Sequence, residues 1–261
     1  MRVIGHRGTP IHPIHPIHPE NTLAAVRTAL EAGVDGVEVD VRATEDGALV
    51  LSHDGDLGRV LGTGAGTGPV VARTPLAALR RVDLPGGTRV PTLPEVLDLA
   101  AVHGAYVATE VKPEAGGPDA ERTARLLAVL LADRRRRRPG ADRVTTTSFD
   151  LATAASLAGY GTVSGALIVA PEVDPDRAAL RARGQGLTDV HLHVTHVRDD
   201  PAVVDRVHAL GLLVAVGIVD DPDEAEAMAA LGVDLLCTDD PVGLGLTRAG
   251  SPSADAAVVA G

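Results

Sequence analysis

GVEVDVR at Gly36–Arg42 and YVATEVK at Tyr106–Lys112 carry charged residues two positions apart, framed by valines. A β-strand has a side-chain period of two, so Glu38 and Asp40 share one strand face. For the same reason, Glu110 and Lys112 share one face of the second strand. Charges on a face framed by valines are costly unless they bind something. The two segments therefore predict buried strands that carry a functional site.

Short apolar segments alternate with longer, alanine-rich amphipathic ones along the whole chain. The first kind predicts strands at 2–6, 36–42, 106–111, 143–148, 163–169, 189–194, 212–218 and 234–238. The second kind predicts helices at 20–32, 94–103, 119–134, 150–158, 175–183, 200–210 and 221–231. Eight β units with helices between them favour the α/β class and a (β/α)8 TIM barrel. A doubly wound open sheet is the alternative.

The 261 residues, 45% of them hydrophobic, suffice for one large core. We predict one domain over 1–246 and a flexible tail over 247–261. Asp46-Gly47 predicts a hairpin turn and a short return strand after the second strand. Residues 54–93 are rich in Gly, Pro and Thr, and we interpret them as an insertion that caps the site. A threefold Ile-His-Pro repeat fills 11–19 and predicts an extended loop, with metal binding by its histidines as the alternative.

The net charge of −11 argues against a nucleic-acid partner, since such proteins normally show a basic face. Five consecutive arginines, Arg134–Arg138, fit a solvated helix end, and an anionic-surface patch is the alternative. The single cysteine, Cys237, excludes an intramolecular disulfide and is interpreted as a core thiol. No apolar segment approaches the roughly 20 residues of a membrane span, and no leader is visible. We therefore expect a cytoplasmic enzyme without stable membrane association.

Two histidines stand at strand ends as well. His6 closes the first predicted strand, and His53 follows the short apolar segment 49–52. Three carboxylates, a lysine and two histidines at strand ends predict a metal-assisted active site. Hard carboxylate oxygens suit Mg²⁺ or Ca²⁺. The alternative is that the carboxylates are buried in salt bridges with Arg7 and Lys112.

An ordered set of short motifs spans almost the whole chain and resembles the glycerophosphodiester phosphodiesterase family. The resemblance implies a TIM barrel with an insertion after the second strand and a divalent metal. It also implies hydrolysis of glycerophosphodiesters to an alcohol and glycerol 3-phosphate. The matching motifs are Gly5-His6-Arg7-Gly8, Pro19-Glu20-Asn21-Thr22, Glu38-Val39-Asp40, His53-Asp54, Pro91-Thr92-Leu93, Glu110-Val111-Lys112, Ser148-Phe149-Asp150 and Thr238-Asp239-Asp240-Pro241.

Roles follow from the resemblance where residues match. Glu38, Asp40 and Glu110 would be metal ligands. Arg7 and Lys112 would hold the phosphate oxygens. His6 and His53 would be the acid–base pair, with a structural or metal-binding histidine as the alternative. The nucleophile, water or the glycerol 2-hydroxyl, is left open.

Four further residues are candidates for the pocket. Asn21 either orients the site or starts the helix at 20–32. His191 and His193 share a strand face, so one of them is a candidate pocket residue. Phe149 is expected near the barrel mouth.

Two departures from the family pattern stand out. The loop before Pro19 is longer than usual, and Gly217 stands about where the family has a tryptophan. An apolar pocket wall is therefore expected to be missing or supplied by the insertion. We expect a small-molecule substrate and leave the oligomeric state open. The alternatives are a lysophospholipase D activity on lipids and a non-catalytic binding barrel.

Overall fold

Within the part of the chain that the structure describes, eight parallel strands form a closed barrel, and a ninth strand is attached to it. A computed structural model describes residues 1–9, 18–112, 118–159 and 164–245. Strand β1 pairs with both β2 and β9, which closes the sheet. The ninth strand is β3, which runs antiparallel against β2. The strands are β1 (Arg2–Gly5), β2 (Gly36–Ala43), β3 (Leu49–Leu51), β4 (Tyr106–Val111), β5 (Arg143–Ser148), β6 (Ser164–Val169), β7 (Asp189–His193), β8 (Leu213–Gly217) and β9 (Leu235–Thr238).

Helices connect the strands and cover the outside of the barrel. Several begin where the sequence provides a capping side chain, such as Thr22, Asp174 and Asp221. The predicted (β/α)8 barrel is confirmed, and the open-sheet alternative is wrong because the strand order closes on itself. The helices are α1 (Leu23–Ala32), α2 (Leu76–Leu79), α3 (Leu93–His103), α4 (Pro118–Arg137), α5 (Leu151–Gly159), α6 (Pro175–Gly184), α7 (Val194–Asp199), α8 (Val203–Ala209) and α9 (Pro222–Ala230). Among the described residues, no helix combines the length and apolar character that a bilayer crossing needs.

The alternation in β2 divides its side chains between two environments. Its valines pack outward with the apolar faces of α1 and α3. Glu38 and Asp40 point to the other side, into the barrel. The interior also contains small or medium side chains such as Ile4, Ala108 and Ala215. Small interior residues leave room at the barrel mouth, where the charged ends of the strands meet.

The predicted insertion, residues 54–93, contains more local structure than its aperiodic sequence indicates. It holds two 3₁₀ turns, Val71–Arg73 and Pro85–Gly87, together with α2. Its apolar side chains form a small core of their own, which includes Leu57 and Leu79. The Asp56 carboxylate accepts hydrogen bonds from the backbone N–H groups of three glycines. Polar loop contacts of this kind leave no periodic signal. That 54–93 caps the site within one domain over 1–246 stays a prediction.

The start predicted for the helix over 200–210 is wrong. The preceding helix, α7, ends at Asp199, and α8 begins only at Val203. Pro201 lacks a backbone N–H and disfavours a helical conformation for Asp200, so one helix cannot run through both. The strand predicted to Val194 ends at His193, whose side chain caps α7.

The arginine run ends α4, as the helix-end interpretation predicted. Arg134 donates to Asp142 at 2.7 Å and to Asp98 at 2.9 Å, and Arg138 also donates to Asp98. These ion pairs neutralise positive charge that an anionic-surface patch would need. Most of the Ile-His-Pro repeat (11–17) and the tail (247–261) lie outside the described residues.

Candidate active site

The carboxyl ends of the barrel strands surround one cavity of about 330 Å³. Parallel strands bring these ends to the same edge, so residues distant in sequence meet there. Asp40 lies just beneath, fully buried. Nine sequence-predicted site residues line the cavity: His6, Arg7, Glu38, His53, Glu110, Lys112, Phe149, His191 and His193.

Three buried carboxylates lie together at the base of the cavity. One oxygen each of Glu38, Asp40 and Glu110 falls within 4.8 Å of the others. Burial, with the charge of Asp40, raises the pKa of Glu38 to about 8. Burial also raises the pKa of Glu110. The pKa of Asp40 is lowered despite burial, because Lys112 and Arg7 stabilise its charge.

Two positively charged side chains, Lys112 and Arg7, neutralise part of this carboxylate cluster. Lys112 Nζ lies 2.9 Å from Asp40 Oδ1 and 2.6 Å from Glu110 Oε1. Arg7 Nε lies 3.3 Å from Asp40 Oδ2. The salt-bridge alternative thus accounts for Asp40 and Glu110, but not for Glu38. Among the described residues, Glu38 Oε1 has no hydrogen-bond partner.

Asn21 holds Asp40 rather than starting a helix. Its amide donates to Asp40 Oδ2 at 2.7 Å, and its carbonyl accepts from the Asp40 backbone N–H at 3.0 Å. Asn21 has a φ of 56°, a left-handed conformation that asparagine tolerates better than most residues. The helix cap is the next residue, Thr22.

Each predicted catalytic histidine is held by an acid that the sequence interpretation gave no role. His6 Nδ1 bonds to Asp239 at 2.8 Å, and His6 Nε2 lies 4.0 Å from Glu38 Oε2. His53 Nδ1 bonds to Asp54 at 2.7 Å. A carboxylate only accepts, so Nδ1 carries the proton in each ring. The second ring nitrogen of each histidine is then free to accept.

The two histidines differ in their charge environments. Burial lowers the pKa of His6, but the hydrogen bond to Asp239 and the charge of Glu38 outweigh it and raise that pKa. Burial and the charge of Lys112 lower the pKa of His53. Paired titratable groups with separated pKa values are typical of acid–base sites.

One wall of the cavity is apolar. Ile168, Pro171 and Ile218 form it, and Phe149 lies at the mouth with its ring 5.7 Å from Lys112 Nζ. The wall was expected to be either missing or supplied by the insertion, but residues 54–93 do not line the cavity, and the ends of β6 and β8 supply the wall. A Cβ at Gly217 would lie 2.9 Å from the Cβ of Cys237, so any larger residue at this position would require Cys237 to shift.

The remaining candidates also line this cavity. His193 accepts from Thr195 as the cap of α7. His191 stands deeper in the barrel, and burial lowers its pKa to about 4, so it is neutral at pH 7. Cys237 is partly buried and faces the cavity rather than the outer core. Burial raises the pKa of its thiol, which is therefore a poor nucleophile.

Sequence reasoning missed the residues that support the site. Asp54 and Asp239 stand inside quoted motifs, directly after a histidine or a strand end, and that position was the available signal. Arg42 donates to the His53 carbonyl at 2.7 Å, and Arg59 reaches Asp54 from the insertion. No pattern indicated either arginine, because both contacts depend on the tertiary fold.

The closed barrel and its charged mouth define a TIM-barrel enzyme. The sequence model of the Glycerophosphoryl diester phosphodiesterase family matches residues 6–242, and the chain belongs to this family. A glycerophosphodiester phosphodiesterase of Caldanaerobacter subterraneus is 31% identical over 92% of this chain and 94% of its own. The predicted family and the predicted enzyme class are therefore confirmed.

Two solved structures resemble the barrel closely. A glycerophosphodiester phosphodiesterase from Parabacteroides distasonis has a TM-score of 0.73 and 26% identity, covering 91% of this chain and 92% of its own. An Oleispira antarctica phosphodiesterase in complex with the product sn-glycerol-3-phosphate has a TM-score of 0.74 and 25% identity, covering 94% and 95%. The resemblance therefore extends over almost the whole barrel.

Proposed function

We propose that the protein hydrolyses glycerophosphodiesters to an alcohol and glycerol 3-phosphate with the help of a bound divalent cation. The observation that carries this proposal is the acidic cluster, whose three carboxylates lie within 4.8 Å of one another at the base of the cavity. The same cavity is lined by Arg7, Lys112 and the two histidines. Family membership and the product-bound Oleispira antarctica relative support the substrate class.

Glu38, Asp40 and Glu110 would hold the cation, and their chemistry fits it. All three offer hard oxygen ligands of the kind that Mg²⁺ and Ca²⁺ prefer. Burial, followed by the charge of Asp40, raises the pKa of Glu38 to about 8, and a cation beside Glu38 would stabilise its charged form. A divalent cation there would act as a Lewis acid and stabilise charge on the phosphoryl oxygens.

Arg7 and Lys112 are suited to bind the phosphate of the substrate. Both line the cavity, and both are largely buried, with side chains 17% and 11% exposed. A low-dielectric position strengthens their attraction for a phosphate anion compared with a surface site. The substrate phosphate would therefore bind beside the acidic cluster.

His6 and His53 would transfer protons at the two ends of the reaction. One would take the proton of the nucleophile, and the other would protonate the leaving alkoxide. Each ring is oriented by its bond to Asp239 or Asp54, at 2.8 and 2.7 Å. Such an orienting acid holds the Nδ1 proton, so the other nitrogen of each ring is available to substrate. In the base this nitrogen accepts the proton, and in the acid, as an imidazolium, it donates one.

The test is release of glycerol 3-phosphate from glycerophosphocholine, glycerophosphoethanolamine and glycerophosphoglycerol by purified protein with added Mg²⁺ or Ca²⁺. We expect release from at least one of them. Release from none would contradict the proposal and favour a non-catalytic barrel.

The apolar wall of Ile168, Pro171 and Ile218 favours one second candidate, a lysophospholipase D activity. An acyl chain could lie along this wall while the phosphate binds beside the acidic cluster. Lysophosphatidylcholine in the same assay would release choline and lysophosphatidic acid. Faster release from the lipid than from every glycerophosphodiester would favour this candidate.

A further inference from the structure

Arg59 of the insertion joins two acids that the barrel scaffold presents separately. Its Nε lies 2.5 Å from Asp54 Oδ2. Its two terminal nitrogens bind both Glu20 oxygens, at 2.9 and 2.6 Å. Only the planar guanidinium offers donors on two edges, so it can bind two carboxylates in fixed geometry at once.

Each of these acids in turn holds a residue that lines the cavity. The other oxygen of Asp54 bonds to His53 Nδ1 at 2.7 Å. Glu20 accepts from Arg7 Nη1 at 3.1 Å with both oxygens. The chain of contacts therefore runs from His53 to Arg7 and passes through Arg59 at its centre.

We propose that Arg59 is a positioning residue that fixes His53 relative to Arg7, and thus the proton-transfer group relative to the bound phosphate. This inference rests on the proposed function. It assigns a task to the insertion, which supplies no apolar wall to the cavity. Arg59 itself neither lines the cavity nor belongs to the carboxylate cluster.

The competing interpretation is a tether that only fastens the insertion to the barrel. The Arg59 side chain is 44% exposed, and exposed ion pairs contribute little to folding stability. If Arg59 were only a tether, its removal would change the folding stability or have no effect. A positioning residue would affect kcat, because misplacing a reacting group by about 1 Å costs on the order of 100-fold in rate.

The variants to compare are Arg59→Gln, Arg59→Lys and the control Arg80→Gln. Arg80 lies in the same insertion, is 37% exposed, and pairs with Glu95 away from the cavity. We expect Arg59→Gln to lower kcat by roughly 10- to 100-fold, with a smaller change in KM and an unchanged Tm. Lysine can bind only one of the two acids at a time, so Arg59→Lys should restore part of the rate. Arg80→Gln should keep the wild-type rate.

A double variant separates positioning from an independent effect. If Arg59 acts on His53 through Asp54, adding Arg59→Gln to Asp54→Asn should lower kcat little further. Nitrogen-15 NMR of the histidine rings provides a readout that needs no turnover. The Nδ1-protonated form of His53 should predominate in the wild-type protein and lose population in Arg59→Gln.

Four results would overturn the inference: a kcat of Arg59→Gln within twofold of wild type, multiplicative losses in the double variant, an unchanged His53 spectrum, or failure of Arg59→Gln to fold. If the wild-type protein releases no glycerol 3-phosphate, the proposed function fails, and the His53 spectrum still decides whether Arg59 positions the ring.

Discussion

The side chain of Asn21 binds Asp40 at two points, donating to its carboxylate at 2.7 Å and accepting from its backbone N–H at 3.0 Å. Asp40 is fully buried and lies at the centre of the contacts made by Arg7 and Lys112. The amide thus fixes the rotamer of a carboxylate that Arg7 and Lys112 attract and that Glu38 and Glu110 repel. Groups that orient a metal ligand in this way typically affect metal affinity as well as activity.

The Asn21 contact predicts a metal-binding defect. Asn21→Ala should weaken Mg²⁺ or Ca²⁺ binding by roughly 10- to 100-fold, because Asp40 loses the amide that orients it. Isothermal titration of chelator-treated protein measures this. Thr22→Ala is the control, since it removes the adjacent helix cap without touching Asp40. Equal affinities in Asn21→Ala and wild type would show that Asp40 needs no support.

Glu38 predicts how the stability of metal-free protein depends on pH. Its pKa is about 8 in the folded chain against 4.5 ordinarily. A carboxyl with a raised folded pKa contributes stability below the unfolded value and loses it as pH rises through the folded value. The Tm of chelated protein should therefore fall between about pH 5 and pH 8.

The matched control for this effect is Glu38→Gln, which keeps the shape of the side chain and removes its titration. The variant should lose much of the fall in Tm over that range. Added Mg²⁺ should raise the wild-type Tm most at the alkaline end, since the metal binds the deprotonated carboxylate. A wild-type Tm that rises with pH in chelator would contradict the charge balance described for the cluster.

The two histidines predict losses of turnover. His6→Ala and His53→Ala should each lower kcat by on the order of 10²- to 10⁴-fold with the fold intact. The pH–rate profile of the wild-type protein should be bell-shaped and report the coupled pair. His208→Ala is a control, because His208 bonds to Asp234 at the opposite end of the barrel. A near-wild-type rate in either variant removes that histidine from the mechanism.

The cavity predicts little selection for a choline headgroup. Cation–π contacts hold quaternary ammonium groups. Among the described residues that line the cavity, Phe149 is the one aromatic side chain. The Nζ of Lys112 lies 5.7 Å from the centre of its ring. Tyr106 stands at the start of β4, away from the mouth.

We therefore expect glycerophosphocholine, glycerophosphoethanolamine and glycerophosphoglycerol to differ in kcat/KM by less than about tenfold, the effect of one such contact. Phe149→Leu should change all three alike. A preference for choline of several hundredfold would reveal a headgroup site elsewhere.

Local patterns predicted the barrel and its acidic cluster. The two-residue period of β2 places Glu38 and Asp40 on the inner face, and parallel pairing then brings Glu110 beside Asp40. These features depend on neighbouring residues and on a regular repeat. The sequence therefore contains enough information to predict them.

Contacts between distant segments were not predictable in this way. His6 meets Asp239, 233 positions away, and Arg59 meets Glu20, 39 positions away. The apolar wall comes from the ends of β6 and β8, although the chain there gives no sign that they share a cavity. Each of these contacts exists only once the barrel has closed and the insertion has packed.

The central claim is that the cluster of Glu38, Asp40 and Glu110 binds the cation on which hydrolysis depends. The most direct test follows glycerol 3-phosphate release by metal-stripped protein while Mg²⁺ or Ca²⁺ is titrated back, in wild type and in Glu38→Gln. We predict no turnover in excess chelator, recovery with added metal, and a shift of the variant to much higher metal concentrations. Full turnover of verified metal-free protein, or identical titration curves for the two proteins, would contradict the claim.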